Sequence, residues 1–192
     1  MDADTRRDLS LWCIWTACAA GLVHAAFSLY WAVGGQWLLD TVGRWAVEQS
    51  VLEPRRTGLI LAVVALIKIA AALLPVALAY GQLSVAGYWR AACWAGAVLL
   101  VLYGGANMAV SHAVLSGLGR PETGYDRAAM IGHAWLWDPL FLLWGAALLG
   151  YLLLTRTGRR TGPRTGPRTG PRTGPAPGSD AGSDAGAAPG SG

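Results

Sequence analysis

The chain has 192 residues, 54% of them hydrophobic and only 14% charged, with a formal net charge of +4. That is too apolar for an ordinary soluble domain, and the apolar residues are blocked into long runs. The charge does not mark a nucleic-acid binder: nearly all the excess lies in a C-terminal arginine repeat, and no basic stripe interleaves with aromatic residues elsewhere.

Residues 1–8 are polar and charged. The first apolar run, about Leu9–Val33, exceeds the roughly 20 residues that cross a bilayer as a helix. Ala17-Cys18-Ala19 resembles a small-residue cleavage site, but the apolar character continues well past it, which suits an uncleaved span better. Ala17, Gly21 and Ala25, four apart, give this helix a small-residue face for close packing. The same run carries His24 inside it and ends in Tyr30-Trp31-Ala32-Val33-Gly34-Gly35.

Residues 34–57 read as a loop. Within it Trp37–Glu48 is amphipathic, with Leu38, Val42 and Trp45 on one side. A short interfacial helix is expected, with a plain polar loop as the competing reading because Gly43 weakens it. Pro54 announces the second run, about Gly58–Tyr80, which holds Lys68 near its middle and Pro75 within it. After a turn over 81–88, the third run covers about 89–112 and carries Tyr103, Asn107 and Ser111 four residues apart.

Residues 116–132 form a polar loop, and His133 is expected among the lipid headgroups. The fourth run is about Ala134–Leu154. Asp138-Pro139 has the form of an N-cap followed by a first helical residue. The regular helix is therefore expected to start at Pro139, leaving about 24 Å of span. From residue 156 the chain turns to Arg-Thr-Gly-Pro repeats and then to Gly, Ser, Asp and Ala, a composition expected to be disordered. The tail arginines can lie on anionic lipid; an untethered tail is the competing reading.

The expected fold is thus all-α: an integral membrane four-helix bundle over residues 9–155, with spans near 9–33, 58–80, 89–112 and 134–154, and a disordered tail over 156–192. The lipid bilayer is its expected partner. Cys13, Cys18 and Cys93 form no ligand-like spacing with histidine and read as free thiols. Four spans put both termini on one side, with Arg6, Arg7, Arg90 and the tail arginines; Arg44, Arg55, Arg56, Arg120 and Arg127 fall on the other. The arginine bias favours both termini in the cytoplasm.

Polar residues recur at depth. At about 1.5 Å per residue, His24, Lys68 and Tyr103 lie about 13–15 Å below the outer helix ends, and Asn107 and Asp138 about 6–8 Å. A lysine at a bilayer centre costs roughly 2.5–3.5 kcal/mol on insertion scales, so Lys68 should face the bundle, and Asp138 is the only carboxylate within the expected spans to meet it.

Three stretches carry a family resemblance. Tyr30–Gly35 with upstream His24, Trp37-Leu38-Leu39-Asp40-Thr41-Val42-Gly43, and Leu136-Trp137-Asp138-Pro139-Leu140-Phe141 resemble the bacterial domain-of-unknown-function family numbered 3995. The resemblance covers roughly residues 9–154. It implies four helices and an integral membrane location, and no activity or functional residues.

Together these readings point to a non-enzymatic protein of the bacterial cytoplasmic membrane, without a cofactor. It would bind a lipid or other small amphipathic ligand in an outward-facing polar cavity among His24, Lys68, Tyr103, Asn107 and Asp138. Three alternatives stay open. One is a lipid or isoprenoid enzyme using His24, Lys68 and Asp138 as acid–base groups. The others are a haem-binding redox protein, ligated through His24 with His112 or His133, and a passive subunit of a larger complex.

Overall fold

A computed structural model describes residues 1–82, 86–119, 121–122 and 124–156. The expected disordered repeat, beyond Arg156, lies outside the described residues.

Helix α1 runs over Ala3–Ala32. It begins well before Leu9 because Asp2 caps it, its carboxylate accepting the Thr5 N–H at 2.7 Å. Thirty residues make about 45 Å, so the polar first turns stand clear of a hydrocarbon core about 30 Å thick. Past Ala32 the chain turns at Gly34, whose φ of +94° only glycine adopts freely.

The expected amphipathic loop helix is split. A 3₁₀ turn at Leu39–Thr41 and helix α2 at Arg44–Leu52 are separated by Gly43, at φ +141°. The backbone that glycine permits there is not helical. Helix α3 covers Pro54–Ala79, with Pro54 in its first turn and Pro75 inside. Helix α4 covers Ala86–Leu115.

The last membrane helix differs most from expectation. It is a continuous rod over Arg127–Leu154, made of α5 (Arg127–Gly132), a π turn (His133–Trp137) and α6 (Asp138–Leu154). Asp138 does not cap it: its backbone is helical and its side chain makes no cap bond. The wide π turn lies immediately before Pro139, where a proline ring collides with the carbonyl one regular turn back. Widening the turn lets the helix pass through the proline.

Four helices, Ala3–Ala32, Pro54–Ala79, Gly87–Leu115 and Arg127–Leu154, are long and apolar enough to cross a membrane. The protein is a multi-pass membrane helix bundle. α1 packs along α3 on one side and α6 on the other; α6 packs along α4, while α3 and α4 meet only sparsely. Two close crossings set this order. A Cβ on Gly21 would lie 2.7 Å from the Trp144 ring and 2.8 Å from Ala72 Cβ, and one on Gly145 would lie 2.8 Å from Val101 N. Small residues let these backbones approach, as the Ala17-Gly21-Ala25 face suggests. The core between them holds Ile14, Ala17, Ala72, Ala97, Trp144, Leu148 and Leu152. A second cluster, Trp31, Leu39 and Trp137, closes the end that carries the 3₁₀ turn, called here the loop end. The opposite end, with Ala3, Ala79 and Leu154, is the terminal end.

Candidate functional site: a polar layer beneath an aromatic plug

His24 and Ser28 lie one turn apart on the buried face of α1, 5% and 1% exposed. Lys68 of α3 reaches both. Its Nζ donates to Ser28 Oγ at 2.8 Å and lies 3.1 Å from His24 Nδ1. Ser28 Oγ donates on to the His24 carbonyl at 3.3 Å. An ammonium only donates, so beside a charged Lys68 the Nδ1 atom accepts, the ring is neutral and its proton sits on Nε2. Among the described residues, the buried Nε2 has no hydrogen-bond partner. Phe141 of α6 covers this group, its centroid 3.8 Å from the His24 ring and 5.6 Å from Lys68 Nζ.

Asp138 is fully buried and does not meet Lys68. Its Oδ2 lies 3.0 Å from Nδ1 of His133, whose Nε2 donates to the Val42 carbonyl at 3.3 Å. Because that carbonyl only accepts, Nε2 carries a proton. The pair is then either imidazolium with carboxylate or imidazole with carboxylic acid, and it is net neutral in both forms. His133 is thereby held against the bundle, with its side chain 26% exposed. The π turn is the cause. Residues five apart on a regular helix point about 140° apart, and the wider turn swings His133 and Asp138 together. Asp138 Oδ1 is buried and has no hydrogen-bond partner among the described residues.

The other two expected site residues fall differently. Tyr103 is 50% exposed on the lipid side of α4 and touches the layer only at the edge of Phe141, with centroids 5.6 Å apart. Gly104 dictates this. A Cβ there would lie 2.7 Å from the Asp138 carbonyl, so Gly104 must face α6, and Tyr103, about 100° round the helix, cannot. Asn107 is half-buried. Of the Tyr103, Asn107, Ser111 stripe, only Ser111 is buried, at 3% exposure.

Sequence reasoning missed Ser28, His133 and Phe141. Ser28 was legible in principle, one turn from His24. His133 required the π turn, and Phe141 required the α1–α6 crossing.

Above the layer, residues 37–42 form a plug. Trp31 Nε1 donates to the Trp37 carbonyl at 2.9 Å, and Trp137 Nε1 donates to Thr41 Oγ1 at 3.0 Å. The indoles of Trp31 and Trp137 meet edge to face at 5.1 Å, and Phe27 meets Trp137 at 5.0 Å. A Cβ on Gly132 would collide with the Thr41 carbonyl, so the plug lies directly on the last membrane helix. With His133 holding Val42, three side-chain donors from the membrane helices pin this stretch. Leu38, at φ +60°, takes a strained backbone to fit.

A family profile described as "Protein of unknown function (DUF3995)" matches residues 21–148. The chain belongs to this family. The matched stretch contains every member of the polar layer, from His24 to Phe141, and the whole plug. No curated protein and no solved structure matches the chain. The family resemblance is thereby a membership, and the four-span membrane fold it implied agrees with the architecture above.

Among the described residues no group of three or more His, Cys, Asp or Glu side chains is arranged to hold a metal ion. The three histidines have separate surroundings: His24 beside Lys68, His133 between Asp138 and Val42, and His112 edge-on to Trp135 at 4.8 Å.

Proposed function

We propose that this member of the family binds a small amphipathic ligand or lipid in the membrane, with an anionic or strongly accepting head against Lys68. One observation carries the reading. Among the described residues no carboxylate lies within 4.0 Å of Lys68, and its two partners, His24 and Ser28, are neutral acceptors. A cation deep in a bilayer is expensive, and two neutral acceptors compensate it only in part. Its third N–H is left for an incoming acceptor. The approach runs between α3 and α4. These helices touch sparsely, and Phe141 lies 5.6 Å from both Lys68 Nζ and the Tyr103 ring, which would flank the entry. The aromatic plug favours this lateral entry over one from the loop end. Asp138 and Asn107 would border the head on the α4–α6 side.

The proposed setting is the bacterial cytoplasmic membrane with both termini in the cytoplasm, supported by the arginine distribution. The test is mass spectrometry of lipids and small molecules retained by the purified chain and by Lys68→Met. Near-stoichiometric retention of one amphipathic species, lost in the variant, supports the proposal; identical profiles refute it.

A second reading, acid–base chemistry on a membrane lipid, is favoured by His24 Nε2 and Asp138 Oδ1, buried and without a hydrogen-bond partner among the described residues. Turnover that survived replacement of both His24 and Asp138 would dismiss it.

A further inference from the structure

A different cavity, at the terminal end, carries a second assignment that does not depend on the polar layer. We infer that the cavity between α3, α4 and α6 holds the phosphate of an anionic phospholipid on Arg90, with the start of an acyl chain against its apolar wall.

The cavity encloses about 210 Å3 and is lined by Pro75 and Leu78 of α3, Arg90 and Cys93 of α4, and Tyr151, Leu152 and Thr155 at the end of α6. Arg90 Nη2 donates to the Leu152 carbonyl at 3.0 Å and to Thr155 Oγ1 at 2.9 Å. Among the described residues its Nε and Nη1 make no hydrogen bond and no carboxylate lies within 4.0 Å. The guanidinium is permanently charged and carries five N–H donors in a fork that matches phosphate. Capping the last carbonyls of α6 explains Nη2. It leaves the other donors, and an open apolar space beside a cation, without a role.

Depth selects a lipid. Arg90 is about 6 Å inside the start of α4, and its partners are the last residues of α6, so the charge lies at the level of phosphate groups. Pro75, Leu78 and Leu152 then extend the cavity toward the hydrocarbon, where a chain and not water would follow. Tyr151 brings a phenol to the same space.

The experiment is native mass spectrometry of the full chain, titrated with palmitoyl-oleoyl phosphatidylglycerol or with the phosphatidylcholine of the same chains. Phosphatidylglycerol is expected to bind at least about tenfold more tightly, and Arg90→Gln to erase about that tenfold preference. Millimolar inorganic phosphate should leave the lipid in place. Equal binding of the two lipids, undiminished phosphatidylglycerol binding by Arg90→Gln, or displacement by inorganic phosphate would each overturn the assignment. Arg90→Gln also removes a cap from α6, so Leu78→Trp serves as the second variant: it fills the cavity and leaves that cap intact. Loss of phosphatidylglycerol binding in Leu78→Trp supports the site; unchanged binding overturns it.

Discussion

Replacing Lys68 with methionine should stabilise the bundle while removing its ligand. Methionine keeps the unbranched stem and deletes the charge. The deletion relieves the insertion cost of a mid-membrane lysine, roughly 2.5–3.5 kcal/mol. Against this, His24 Nδ1 loses its donor at 3.1 Å, and a buried acceptor left unsatisfied costs about 1–3 kcal/mol. Ser28 loses less, because its hydroxyl still donates to the His24 carbonyl. The balance is a gain of about 1 kcal/mol, measured by unfolding the purified chain in mixed micelles with increasing SDS. Adding His24→Leu to Lys68→Met removes the orphaned ring and should increase the gain. A residue whose loss stabilises the fold is held for something other than the fold. A loss of more than about 2 kcal/mol in Lys68→Met would refute the reasoning, because Lys68 would then be a structural tie whose bonds outweigh its desolvation.

The buried pair behaves oppositely. His133→Ala strands a fully buried carboxyl and should cost about 3–5 kcal/mol, whereas Asp138→Asn, which keeps a hydrogen bond to His133, should cost clearly less in the same SDS titration. Gly145→Ala places a methyl 2.8 Å from Val101 N and 2.9 Å from the Ala97 carbonyl, backbone that cannot yield; about 1–3 kcal/mol should be lost, seen as a lower melting temperature in detergent. Asp126 accepts hydrogen bonds from the N–H of Ala129, at the start of α5, and of Arg44, at the start of α2. The Ala129 bond, with a smaller contribution from Arg44, holds its carboxyl below the ordinary carboxylate value despite slight burial. A lowered pKa means a contribution present above the unfolded value of about 3.9 and lost as pH falls through the folded one. Losing this solvent-screened cap in Asp126→Ala should cost about 0.5–1 kcal/mol at neutral pH, and the gap to the parent chain should close in acid; a gap that widens as pH falls would refute this.

Membership of the membrane class was legible from the sequence because bilayer thickness imposes a run length, and run length is a one-dimensional property. The Ala17-Gly21-Ala25 packing face and the inward placement of His24 were legible for a related reason: on an unbroken helix, spacing alone tells which residues share a side. The partners of the polar residues were not. Lys68 and Asp138, the expected pair, are separated because Asp138 is taken by His133, and that pairing exists only where a π turn carries the helix through Pro139. Tyr103 and Asn107 followed the right period on the wrong reference, since the facing side of α4 is chosen by Gly104 against the backbone of α6, a contact between segments distant in sequence. The plug over residues 37–42 likewise rests on indole and imidazole donors from two spans. Periodicity ranks the faces of each helix; only the crossings, where the smallest residues admit the closest approach, decide which polar groups meet.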